Sequence, residues 1–156
     1  MARSKILISI LALLLGLAAC AASIPFQVRE LNSAKFSPSE RIHIEAGIEI
    51  VKLSSRLGNE LTRAGFNIAD SRRNAAYILT FDYDAEFDVY PWEIKSFMLT
   101  MAESQSGNVI YKITSAKSGR EPVDSLLKRI ADDMTSKLLT NPMRGNVAII
   151  DSDEDR

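Results

Sequence analysis

Two residues set the limits on chemistry in this chain of 156 residues: the single histidine, His43, and the single cysteine, Cys20. A zinc cluster draws on several imidazoles and thiolates, which one of each does not supply. A nucleophilic triad would have to pass its proton through His43, in an alternating stretch beside Glu45. No nucleophile is brought to it by the spacing, so it reads as a solvent-facing residue. Gly65, Gly107 and Gly119 stand apart, each in a turn or cap setting, and form no glycine-rich phosphate loop. The unusual feature is a run of carboxylates. Asp82, Asp84, Glu86 and Asp88 occupy even positions, with Phe81, Tyr83, Phe87 and Val89 at odd ones. In extended backbone the four acids share one face. They fit a solvated face that protects a sheet edge, or a dock for a basic partner. A calcium site fits less well, because alternating residues on a straight strand do not converge on one ion as the bent loops of calcium sites do. Tyr90-Pro91-Trp92 follows directly, and Trp92, the only tryptophan, is either an interface anchor or a lid on the end of the core. The candidate partner-binding residues are therefore Asp82, Asp84, Glu86, Asp88 and Trp92. No catalytic residue, metal ligand or cofactor is expected, and the chain reads as a binding module rather than an enzyme. A carboxylate-pair hydrolase is a distant third reading, since so short a chain leaves little room for a cleft.

The amino terminus has its own logic. Arg3 and Lys5 precede the apolar run 6–15, and no charge follows up to Ala19. That is the pattern of a signal peptide, and it is hardly long enough for the roughly 20 apolar residues that a spanning helix requires. Its end, Leu17-Ala18-Ala19-Cys20, resembles the lipobox of bacterial lipoproteins. The resemblance implies removal of residues 1–19, a diacylglycerol on the Cys20 thiol, a usually acylated amine, and thus a covalent lipid in place of any cofactor. Alanine rather than aspartate at position 21 implies, by the same resemblance, the outer membrane. The alternative is an ordinary secretory cleavage with Cys20 incidental. A lone thiol makes no internal disulfide, so the exported domain depends on its core. Cleavage takes Arg3 and Lys5 with it, so 19 basic residues become 17 against 20 acidic ones, and the mature chain carries −3. Nucleic acid is a poor partner for such a chain, because phosphate binding needs a basic patch.

Those residues must be positioned by elements that the patterning indicates. Residues 20–25 read as a short lipidated tether, 26–142 as one periplasmic domain, and 143–156 as an acidic, disordered tail. Residues 26–31 alternate weakly as a strand. Over 41–46 the even-numbered isoleucines favour a strand, although Ser37-Pro38-Ser39-Glu40 resembles a capping box at a helix start. Leu53, Leu57, Leu61 and Ala64 trace a helix of about 50–64 that Gly65 ends. Residues 76–83 form a strand emerging toward an edge, and 97–101 with 109–113 form a hairpin around Gly107. Val123, Leu126, Leu127, Ile130, Met134 and Leu138 mark one face of a helix that begins at Pro122 and stops before Asn141-Pro142. The fold class is α+β: a single small domain with an antiparallel sheet and two helices packed on one face.

The runs 61–66, 75–79 and 106–111, followed by the terminal helix, are similar to those of small periplasmic lipoproteins of the DUF4136 group. More distantly they resemble outer-membrane lipoproteins that serve as assembly or activator factors. The resemblance covers about residues 41–139 and carries no chemical motif, so it transfers no functional residue. It implies a lipoprotein anchored in the membrane by its lipid and acting as a binding or accessory module for an envelope protein. A carrier or sensor of a small amphipathic ligand, held between helices and sheet, is the alternative.

Overall fold

The computed structural model describes residues 23–45, 52–86 and 92–140. Residues 1–22 with Cys20, Ile48 and Ile50, Phe87 to Pro91 including Asp88, and residues 141–156 lie outside the described residues.

Among the described residues, seven strands and two helices build the domain. In chain order these are β1 (Phe26–Leu31), β2 (Arg41–Glu45), α1 (Leu53–Arg63), β3 (Asn67–Ile68), β4 (Tyr77–Glu86), β5 (Glu93–Glu103), β6 (Val109–Ser115), β7 (Glu121–Pro122) and α2 (Val123–Met134), which continues through a π-helical turn at Thr135–Leu139. The sheet order is β1-β6-β5-β4-β2-β3, with β7 pairing the start of β5.

The competition over 37–45 is settled in favour of the strand. Residues 37–40 make a turn closed by the Glu40 amide donating to the Ser37 carbonyl, and Ile42 and Ile44 point into the core from β2. α1 starts at Leu53, after a left-handed Lys52. It ends as expected at Gly65, whose φ of 99° is comfortable only for glycine. The Phe66 amide reaches back to the Leu61 carbonyl and the Gly65 amide to Thr62, which satisfies two of the helix's last carbonyls. Pro122 stands immediately before α2, and all six residues of the stripe from Val123 to Leu138 are buried.

The expected all-antiparallel sheet is corrected to a mixed one. β1, β6, β5 and β4 are antiparallel neighbours, but β2 runs parallel to both β4 and β3. The cause is the connection: α1 lies between β2 and β4 on one face of the sheet, and parallel strands are joined by a crossover of that kind. Both helices lie on one face. Leu57 and Leu61 of α1 and Leu126, Ile130 and Met134 of α2 share a single core with Leu79, Leu99, Met101 and Ile113 of the sheet, all fully buried. The opposite face of β4, β5 and β6 carries Thr80, Asp82 and Asp84, then Met98 and Thr100, then Lys112 and Thr114. Among the described residues no helix covers it.

Candidate functional site

β4 shows why the acidic residues were visible in the sequence and how far they act together. Its odd residues Leu79, Phe81 and Tyr83 pack toward the helices, and its even residues point the other way. Asp82 and Asp84 are exposed there, opposite Met98 and Ser96 of β5. Glu86 differs. A bulge in β5 places Lys95 as an extra residue between Ser96 and Ile94, and Lys95 Nζ lies 3.3 Å from Glu86 Oε2, with Arg120 Nη2 at 3.2 Å from the same oxygen. Glu86 is therefore compensated, and the open carboxylates are Asp82 and Asp84.

Trp92 is on the other side of the sheet. Its half-buried ring packs on the core, 5.8 Å below the Arg56 guanidinium of α1, and its carbonyl accepts the Val123 amide at 2.9 Å. Arg56 also pairs with Asp124 in the first turn of α2. Trp92 thus closes the end of the core where the two helices meet. The structure does not bring Trp92 together with Asp82 and Asp84.

A second cluster was not singled out by sequence reasoning. Glu121 in β7 is 1% exposed yet carries a carboxylate. Arg129 Nη1 donates to its two oxygens at 2.9 and 2.7 Å, Ser125 Oγ donates at 3.1 Å, and the Ile24 amide donates at 2.9 Å. Arg129 also donates from both terminal nitrogens to the Ile24 carbonyl, at 3.2 and 3.1 Å, and its guanidinium sits 4.4 Å from the centre of the Phe26 ring. Ile24 itself is buried at 1%. The signal was available: Glu121, Ser125 and Arg129 recur every four residues, the spacing that stacks side chains on one helical face. The last residues of the segment read as a tether are consequently held by the domain, since the Pro25 carbonyl also accepts the Ala116 amide at 2.8 Å.

His43 is half-buried, with Nδ1 3.2 Å from the Ala69 carbonyl. It lines an open, polar groove of about 470 Å³ with Ser54, Asn59 and Asp70. A larger open groove of about 690 Å³ lies at the far end of the sheet among Glu40, Arg73, Tyr77 and Glu103. There Ser106 and then Asn108 hydrogen-bond to the Glu103 carboxylate and hold its pKa below the ordinary value. Burial, and then the charge of Asp133, pushes the Tyr111 hydroxyl far above its ordinary value, and that hydroxyl donates to Asp133. The interface between helices and sheet, where an amphipathic ligand was the alternative expectation, is filled by Leu99, Met101, Leu127 and Ile130, none more than 1% exposed. Among the described residues no three histidine, cysteine, aspartate or glutamate side chains converge as metal ligands, and no helix is long and apolar enough to cross a membrane.

No family model and no curated protein matches this chain. Among solved structures it is similar to PelC of Paraburkholderia phytofirmans, crystallised as a dodecamer, at 14% identity and TM-score 0.49, over 73% of this chain and 97% of that one. It is similar to a minor lipoprotein of Acinetobacter baumannii at 18% identity and TM-score 0.39, over 62% and 93% of the two chains. It is also similar to a DUF4136 family protein of Bacteroides thetaiotaomicron at 10% identity and TM-score 0.37, over 75% and 93%. Each is a likeness only, and the functional reading rests on this chain's own residues.

Proposed function

We propose that this chain is a lipoprotein of the bacterial envelope, held by acyl chains on Cys20 at the periplasmic side of the outer membrane, and that its domain is a binding or accessory module for an envelope protein. The observation that carries the binding role is the face of the sheet that no helix covers among the described residues. Met98, 37% exposed, stands at its centre, level with Asp82 on β4 and Thr114 on β6. Thr80, Thr100 and Lys112 form the next row and Asp84 with Ser96 the row beyond. An apolar centre within a polar rim is how protein interfaces are built; Asp82 and Asp84 on β4 favour a basic patch on the partner, while Lys112 and Arg29, whose Nε donates to the Thr114 hydroxyl, make the β6 side basic.

The test is site-specific photocrosslinking in intact cells, with a benzophenone amino acid at Met98 or, as the control, at Asp132 on the solvent side of α2. A discrete adduct from position 98 and none from 132 is expected. No adduct at either position, or the same adducts at both, contradicts a docking role for the open face.

A further inference from the structure

Resting on the proposed lipidation of Cys20, we infer that the domain does not hang freely from its anchor but stands against the phospholipid headgroups on one corner, formed by the start of β1 and the β6–β7 loop at residues 116–120. The domain takes hold of the chain only four residues past Cys20. Ile24 is buried, its amide bonded to Glu121 and its carbonyl to Arg129, and Pro25 is bonded to Ala116. Gly119 is packed so closely on this segment that a Cβ there would lie 3.2 Å from Ile24 Cγ1. Four peptide steps separate Cys20 from Ile24, a reach of at most about 14 Å even when fully extended. That is no more than the radius of gyration, roughly 13–14 Å, of a domain this size. The leash is too short for the domain to turn its far end toward the bilayer.

The chemistry of the corner suits a headgroup surface. Ala116, Lys117, Ser118 and Arg120 are exposed. Lys117 makes no ion pair among the described residues. Arg120, with a side chain 64% exposed, is paired with Glu86 at 3.2 Å and Glu93 at 3.6 Å, so Lys117 is the cation of this corner that faces a headgroup uncompensated. Cations within a Debye length of an anionic leaflet are attracted to it. The hairpin at 104–108 lies at the other end of β6, about 23 Å away along its seven residues. With the strand ends toward the bilayer, the open face carrying Met98 stands across the membrane plane, where a neighbour in the same membrane reaches it.

The experiment uses the full lipidated chain in vesicles of phosphatidylethanolamine and phosphatidylglycerol containing a headgroup nitroxide lipid. Because the Cys20 thiol is consumed, a single introduced cysteine takes the fluorophore, at Ser118→Cys or at Gln105→Cys. Quenching several-fold stronger at 118 than at 105 is expected. Arg129→Met in both backgrounds, with the fold checked by circular dichroism, is expected to narrow that difference by releasing Ile24. Equal quenching at both positions in the parent, or stronger quenching at 105, overturns the inference. Intact mass of the same sample separates the two claims: lipid on Cys20 with equal quenching overturns the orientation alone, and unmodified Cys20 overturns both.

Discussion

Replacing Arg129 by methionine is expected to cost more stability than replacing Glu121 by glutamine, although both changes break the same ion pair. The difference follows from which charge can reach water. Glu121 is 1% exposed, whereas the Arg129 side chain is 35% exposed. Without Arg129 the carboxylate stays buried with only the Ile24 amide and the Ser125 hydroxyl as donors. Removing one partner of a buried pair costs about 3–5 kcal/mol. The exposure of Arg129 places this case near the lower end, about 3 kcal/mol, to which the lost stacking on Phe26 adds roughly 0.5 kcal/mol. Glutamine at 121 keeps the shape and one accepting oxygen, and the freed guanidinium can turn toward solvent, so the expected cost is about 1–2 kcal/mol. Urea unfolding of residues 20–156, with midpoints and slopes compared at neutral pH, measures both. A glutamine variant as costly as the methionine variant, or an Arg129→Met cost below about 1 kcal/mol, would refute the view that a buried carboxylate anchors the first residues of the domain.

Three further outcomes are expected. Leu127→Ala and Ile130→Ala should each lower stability by about 2–5 kcal/mol because both side chains are fully enclosed, while exposed Lys128→Ala should stay within about 0.5 kcal/mol; equal costs in one denaturation series would misplace the core face of α2. Asp82→Asn with Asp84→Asn should leave the unfolding midpoint unchanged or slightly raised, since two like charges on one strand face are removed, and a loss above about 1 kcal/mol would mean that these carboxylates hold the fold. Glu103, whose folded pKa is lowered by Ser106 and Asn108, favours the fold above its unfolded value and ceases to do so as pH falls through the folded value; carbon-detected NMR titration should show its midpoint rising toward the ordinary value in Ser106→Ala, and an unmoved midpoint would contradict the assigned cause.

The parts of the fold legible from sequence were those with a period. The α2 stripe and the Gly65 cap follow from helical spacing and from the sterics of positive φ, and the isoleucines at 42 and 44 identified β2 despite a competing helix-start pattern. Strand direction was not legible, because alternation tells which face a residue occupies and not which way the chain runs. Asp82 and Asp84 emerged on the face that alternation predicts. Parity could not be carried through residues 87–91, with Pro91 among them, to Trp92, and the Lys95 bulge that helps compensate Glu86 leaves no mark in the pattern. Glu121 was missed for a different reason: a buried carboxylate looks like any surface glutamate until its partners are known. The 121/125/129 spacing with an isoleucine just past the expected anchor would have been the clue.

The lipid anchor proposed on Cys20 is tested most directly by the intact mass of the mature protein purified from cell membranes. The predicted species begins at Cys20, lacks residues 1–19, and carries a diacylglyceryl group on the thiol with a further acyl chain on the amine, since a single chain gives only marginal attachment. A mature chain cut at another bond, or one beginning at an unmodified Cys20, would contradict it.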